Sequence, residues 1–200
     1  MKNLRNLLVL AFFVFGVTAI FLPTRVAAQR DYFTDEEIEL IRDAQEIDRR
    51  MDVLTHAIDR RFAALKVDVG GPKISTKESE KWGELPKGTH LELLLDIKRI
   101  LQKAIDDIDS LSERPDSAIL PDPDDKSRKN KSFKDLFPAA VKSLAAAAKR
   151  YQPALKTELD NTKDPAEKGS LLDSLESCEE IIASVAKLPA EEPKPAGKKH

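Results

Sequence analysis

The chain has 200 residues, a formal net charge of −2 and a single cysteine. An intramolecular disulfide is therefore excluded, and a mildly acidic protein has no general electrostatic attraction for nucleic acid or for an anionic membrane. Only 6% of the residues are aromatic, and no alternating run of β-branched residues extends beyond a few positions, so the composition predicts an all-α protein.

The first 28 residues have the features of a secretory signal peptide. Lys2 and Arg5 precede an apolar run from Leu7 to Leu22, and small residues at 26–28 predict cleavage before Gln29. The alternative is a retained anchor, although the run is shorter than the ~20 residues of a typical spanning helix. Cleavage removes three basic residues and no acidic residue, so the formal charge changes from −2 to −5. We therefore expect a periplasmic or secreted protein without a membrane span.

The stretch 34–66 predicts one long amphipathic helix. It contains no proline or glycine, its apolar residues recur every three or four positions, and Thr34 with Glu37 forms the pattern of a capping box. The opposite, mixed-charge face is predicted to be solvated, and it includes Arg60 and Arg61. His56 lies four residues from both Asp52 and Arg60, which favours a surface charge ladder.

A long connection follows from 70 to 88 and contains Trp82, the only tryptophan. Connections of this length in compact domains are usually functional or disordered. Trp82 has two interpretations: it closes one end of the helical bundle, or it is an exposed anchor for a protein partner, where tryptophan is enriched.

Three further helices are predicted at 89–113, 133–160 and 165–188. Thr89 with Glu92 forms a second capping box, Ser132 precedes the third helix, and Asp164 followed by Pro165 marks the start of the fourth. A second long connection at 115–131 separates the second and third helices. The tail at 189–200, rich in proline, lysine and glutamate, is predicted to be disordered.

The four helices predict an antiparallel four-helix bundle with two long loops, comprising residues 29–188 after the signal peptide 1–28. The broad apolar face of the second helix favours a multi-helix bundle over a two-stranded coiled coil. The predicted core consists of Ile41, Ile47, Met51, Leu54, Ile58, Phe62, Leu94, Leu101, Ile105, Ile108, Val141, Leu144, Tyr151, Leu175, Cys178 and Ile182.

No motif in the sequence identifies an activity. The histidines His56, His90 and His200 are not grouped as metal ligands, and the aspartates at 122–125 lack the glycine and glutamate of a calcium loop. Cys178 has no nearby histidine in sequence and is predicted to be a buried small apolar residue. We therefore predict no catalytic residue, no cofactor and no metal, with Trp82 as the possible partner-binding residue.

These observations favour an exported, non-enzymatic protein with an interaction or scaffold role in the bacterial envelope, with an unknown protein partner and an undetermined oligomeric state. Two alternatives stay open. One is a carrier that holds a small ligand or metal in the bundle interior, as other bundles do. The other is an enzyme with a site that the sequence does not reveal.

Overall fold

A computed structural model describes residues 31–72, 76–121 and 131–189 of the chain. The predicted signal peptide 1–28 and all but the first residue of the predicted tail 189–200 lie outside these described residues. Over the described ranges the protein is helical and contains no strand. The α-helices are α1 (Asp35–Asp43), α2 (Ile47–Ala64), α3 (Thr76–Lys81), α4 (His90–Glu113), α5 (Phe133–Asn161) and α6 (Pro165–Ser184), with 3-10 turns at Pro115–Ser117 and Val185–Lys187.

The helix starts follow the predicted capping signals. Thr34 and Glu37 form a complete capping box at α1, and Thr89 and Glu92 form another at α4. At α6 the Asp164 carboxylate accepts a hydrogen bond from the backbone N–H of Ala166 at 2.9 Å. These side chains satisfy backbone donors that a helix leaves without an intrahelical acceptor.

The predicted single helix at 34–66 is wrong, because the chain reverses direction between α1 and α2. In one straight helix Glu37 and Arg61 would lie roughly 36 Å apart, yet their side chains are in contact at 2.5 Å. The turn at 44–46 is stabilised by Arg50, which donates from Nε to the Ala44 carbonyl at 3.1 Å and from Nη2 to the Ile41 carbonyl at 3.3 Å. A tertiary arrangement therefore overrides a locally continuous helical pattern.

Four helices make the main packing contacts: α2 packs against α4 and α5, and α6 packs against the same two helices. Helices α2 and α5 run in the same direction, since Asp52 meets Ser143 and Asp59 meets Arg150.

Helices α4 and α6 are also parallel, because His90 meets Glu167 and Lys98 meets Asp173. Two of the four contacting pairs are thus parallel, which corrects the expectation that all neighbours are antiparallel. The long connection from α4 to α5 accounts for this, because these two helices are not close neighbours.

The predicted core is confirmed except on α6. Fifteen of the sixteen predicted core residues are buried, whereas Ile182 is only partly buried and the adjacent Ile181 takes its place. Leu172 of the same helix is 55% exposed. Besides the predicted Leu175 and Cys178, the buried face of α6 includes Ser170, Ser174 and Ser177. Small serines permit close approach of the neighbouring helix but carry no apolar signal, so the apolar pattern did not reveal this part of the buried face.

Candidate functional site

Trp82 lies directly after α3 and is partly buried against the hydrophobic core. Its indole ring meets the His56 ring edge-on, with centroids 4.3 Å apart and an interplanar angle of 65°. The Arg60 guanidinium stands over the same indole at 5.4 Å from the centroid. Cationic and edge-on contacts of this kind orient an aromatic ring as well as stabilise it. The ring is therefore held in place by two side chains of α2.

Arg60 also fixes the backbone on both sides of Gly83. Its guanidinium donates one hydrogen bond to the carbonyl of Trp82 and another to the carbonyl of Glu84. Burial lowers the pKa of Arg60, an effect that the negative charge of Glu37 opposes. Arg60 is only 4% exposed, and its guanidinium replaces water as the partner of these two carbonyl groups.

Gly83 allows this close approach of the connection to α1. Its φ of +62° lies in the left-handed region, and a Cβ at this position would lie 2.9 Å from the carboxyl carbon of Glu36. The backbone angle therefore favours glycine, whereas the exposed Glu36 side chain can move away from an added Cβ.

The prediction that His56 belongs to a surface charge ladder is wrong. His56 is half-buried against Trp82, and Arg60, one of its two presumed partners, is buried. The ladder pattern gave no indication that the connection at 76–89 covers this part of α2.

A groove of about 530 Å³ runs beside Trp82. Its apolar wall includes Ala63, Val67 and Leu85, while Lys66 and Asp68 lie on its lining. Leu85 is 49% exposed and lines the groove together with Trp82. The structure thus unites the predicted partner-binding residue with an accessible apolar surface.

A second arrangement, which we term the buried charge cluster, comprises Glu37, Arg60, Arg61 and Asp96. The exposed fractions of these residues are 0%, 4%, 1% and 2%, respectively. Arg61 donates from Nη1 to Glu37 at 2.5 Å and from Nη2 to the Tyr32 carbonyl at 2.5 Å, and its Nε lies 3.9 Å from Asp96. Two guanidinium groups thus face two carboxylates in the interior, which corrects the prediction that Arg60 and Arg61 face solvent.

The sequence spacing contained a signal for this cluster. Arg61 follows Leu54 by seven positions, Asp96 lies three positions after Leu93, and Glu37 lies four before Ile41. All three charges therefore fall on the apolar faces of their helices. Arg61 was assigned to solvent because its charge was given more weight than its position.

The buried charge cluster has a structural role, because it joins segments that are distant in sequence. Its formal charges balance, and its donors bind carbonyls and carboxylates of α1, α2 and the connection at 82–84. Phe33 adds a cation–π contact, with the Arg61 guanidinium 5.9 Å from its ring centroid. The cluster thereby attaches α1 and the Trp82 connection to α2, although two buried ion pairs contribute little net stability over apolar packing.

His90 joins three helix ends at the surface. Its Nδ1 lies 3.0 Å from Glu167 and its Nε2 lies 3.1 Å from Glu158, so the two carboxylates contact opposite sides of the ring. Across the described residues, no group of three or more histidine, cysteine, aspartate or glutamate side chains is placed to hold a metal ion. His200 and the aspartates at 122–125 lie outside those residues.

Cys178 is fully buried on α6, which confirms the prediction of a buried small residue. Burial, with a smaller contribution from the charge of Glu179, raises the pKa of the thiol from 9.0 to about 12. A buried protonated thiol is a poor nucleophile.

We expect Cys178 to make stability sensitive to alkaline pH. Because the folded pKa lies above the unfolded value, the folded state gains stability below pH 9, and this contribution is lost as the pH rises towards 12. The full contribution is about 4 kcal/mol at 1.36 kcal/mol per pH unit. Urea unfolding between pH 7 and pH 11 measures about 3 kcal/mol of this loss, because the range ends below the folded pKa. Cys178→Ala should show a smaller decrease in unfolding free energy over this range, and an equal decrease in both proteins would contradict the prediction.

Comparisons with known proteins do not assign the chain to a family: no family model matches it, and neither the curated proteins nor the solved structures contain a match. In the part of the chain that the structure describes, no helix has both the length and the apolar character needed to cross a membrane.

Proposed function

We propose that this protein is an exported, non-enzymatic four-helix bundle that binds a protein partner in the bacterial envelope through the groove beside Trp82. The bundle consists of α2, α4, α5 and α6, with α1 and the Trp82 connection packed outside. Residues 1–28 serve as a cleaved signal peptide, and the mature protein acts in the periplasm or outside the cell.

The observation that carries this proposal is a fixed tryptophan at an accessible groove. Arg60 and His56 orient the indole, so little side-chain freedom is lost when a partner packs against it. Tryptophan is among the residues that contribute most to protein interfaces. The exposed Leu85 extends the same apolar surface.

The groove has the dimensions for a short peptide segment. A volume of about 530 Å³ accommodates a few side chains, and the apolar lining from Ala63, Val67, Trp82 and Leu85 favours an aliphatic or aromatic side chain as the inserted group. We therefore expect the partner to present an extended segment with at least one large apolar residue.

The hydrogen bonds of the buried polar groups support a role without catalysis. Arg60 and Arg61 bind backbone carbonyls and Glu37, and Tyr151 donates its hydroxyl hydrogen to the Thr55 carbonyl at 3.0 Å. Burial raises the pKa of Tyr151 well above its usual value, and the negative charge of Asp59 raises it further, to a smaller extent. These groups hold helices together, and each has a structural partner.

Two exposed leucines provide a matched test of partner binding. Leu85 is 49% exposed beside the groove and Leu172 is 55% exposed on α6. We expect Leu85→Asp to weaken capture of a partner from an envelope extract by about tenfold or more, as for an interface hot spot. Leu172→Asp should leave capture unchanged, and equal capture by both variants would contradict the proposal.

The single tryptophan offers a direct readout of the same groove. Peptides selected from a displayed library on the wild-type protein should shift the Trp82 emission maximum on binding, because the indole would become less exposed. Selected peptides that bind equally well to Leu85→Asp would place the interaction elsewhere.

Mass determination of the exported chain tests the first part of the proposal. We expect the mature N-terminus at Gln29. Recovery of an intact Met1 form in the membrane fraction would support the anchor alternative.

A further inference from the structure

The segment 44–46 joins α1 to α2 without any residue that prevents a helix. Ala44, Gln45 and Glu46 are acceptable in a helix interior, and proline and glycine are absent from the whole stretch 34–66. The apolar positions Ile41, Ala44, Ile47 and Met51 continue at helical spacing across the turn, and all four are buried. The same residues are therefore compatible with a reversed arrangement and with one straight helix.

The reversed arrangement depends on the tertiary contacts of α1. The helix has nine residues, and of its own residues only Glu37 and Ile41 are buried. Its packing on α2 is less extensive than each of the four main helix contacts, which are those of α2 and of α6 with α4 and α5. Its main attachment is the contact of Glu37 with Arg61, supported by Arg60 at 3.5 Å.

Release of α1 leaves a surface that only a similar element can cover. Arg60 and Arg61 would then face Asp96 alone, which gives the remaining cluster a net positive charge next to an apolar strip formerly covered by Ile41. Release of α1 also removes the carboxylate that pairs with both guanidinium groups. The element that restores neutrality and apolar cover is a short amphipathic helix with a glutamate at the position of Glu37, and α1 of a second copy fulfils both conditions.

We propose that α1 is exchanged between two copies of this chain. In the exchanged dimer, α1 and α2 of each copy form one straight helix, so α1 extends roughly 18 Å beyond the start of α2 and packs on the partner copy. Glu37 of one copy binds Arg61 of the other, and the contact is repeated by symmetry. This inference concerns self-association and does not rest on the proposed groove function.

The segment 44–46, which we term the hinge, controls the equilibrium between monomer and exchanged dimer. Monomer and exchanged dimer contain the same contacts of α1, so they differ mainly at 44–46. Glu46 has φ −73° and ψ 136°, and proline accepts this φ. In a straight helix, however, proline at this position removes a backbone hydrogen bond and clashes with the preceding turn. Glu46→Pro therefore favours the reversed arrangement, and Glu46→Ala is the matched control without backbone restriction.

The test is light scattering after size-exclusion chromatography over a wide range of protein concentrations. We expect wild type and Glu46→Ala to form a dimer at high concentration. The association constant of Glu46→Pro should be lower by about ten thousandfold, because each of the two straight helices in the dimer would carry the usual penalty of proline in a helix interior. A wild type that stays monomeric at every soluble concentration would overturn the proposal. Equal dimerisation of Glu46→Pro and Glu46→Ala would also overturn it.

Exchange kinetics provide a second, independent measurement. Native mass spectrometry of isotopically light and heavy dimers follows the appearance of mixed dimers. Because opening must break the contact between Glu37 and Arg61, we expect Glu37→Gln to accelerate mixing about tenfold or more. Mixing at the wild-type rate would show that the buried charge cluster does not hold α1, contrary to the proposal.

Discussion

Replacement of Arg61 by alanine is expected to destabilise the protein by about 3–5 kcal/mol, because it breaks a buried ion pair. The substitution leaves the buried Glu37 carboxylate with Arg60, at 3.5 Å, as its cationic partner, and it removes the hydrogen-bond donor to the Tyr32 carbonyl. Chemical denaturation followed by circular dichroism measures the loss. α1 should become accessible to hydrogen exchange before the other helices, because Arg61 joins it to α2.

A surface pair of the same chemistry is the control. Arg42 and Glu39 also form an ion pair, at 2.7 Å, but their side chains are 66% and 62% exposed. Arg42→Ala should change stability by less than about 1 kcal/mol. The double variant Arg61→Met with Glu37→Leu should recover much of the loss, since apolar groups of similar volume avoid the buried charge. If Arg61→Ala and Arg42→Ala behave alike, the buried charge cluster is not formed as described.

The substitution Leu54→Asp is expected to have the largest effect on the main core. Leu54 is fully buried at the contact of α2 with its neighbours. The change removes apolar contacts that are commonly worth about 2–5 kcal/mol, and it introduces an unpaired carboxylate. We expect the protein to be largely unfolded at 25 °C, with loss of cooperative melting by calorimetry.

Two further variants make this result interpretable. Leu54→Ala should fold with stability reduced by about 2–5 kcal/mol. This variant measures the effect of the cavity without the effect of a buried charge. Leu172→Asp, at a site that is 55% exposed, should melt within a few degrees of the wild type. A cooperative melt of Leu54→Asp close to that of Leu172→Asp would show that the buried face of α2 is assigned incorrectly.

The features that could be predicted from the sequence are those with a local cause. Capping by Thr34 and Thr89 involves residues three positions apart, and proline with acidic residues marks the start of α6 within four positions. The apolar faces of α2, α4 and α5 were also predictable, because burial of a helix face imposes a period of 3.6 residues.

The features that were missed depend on contacts between distant segments. The reversal at 44–46 requires Arg50 to bind carbonyls of α1, and the burial of Arg61 requires Glu37, 24 residues away. Charged residues on a helix are usually exposed, so the sequence alone favoured solvent for both groups. On α6, the buried face includes serines as well as the predicted Leu175 and Cys178, and serines carry no apolar signal.

Trp82 was singled out from composition, but its environment was not predictable. Its orientation depends on His56 and Arg60 of α2, both of which had been assigned to solvent. The groove arises because the connection at 76–89 folds back over α2, and no local signal specifies that path.

The parallel pairing of α2 with α5 has a consequence during synthesis of the chain. Arg150 reaches back 91 residues to Asp59, and Tyr151 reaches back 96 residues to Thr55. Until the ribosome has synthesised residue 151, α5 is incomplete, and the apolar face of α2 that packs against it stays exposed to solvent. Contacts between residues so far apart in sequence slow folding and prolong the lifetime of aggregation-prone intermediates. We therefore expect chaperones to bind the nascent chain until α5 has been synthesised. Truncated forms that end near residue 121 should aggregate.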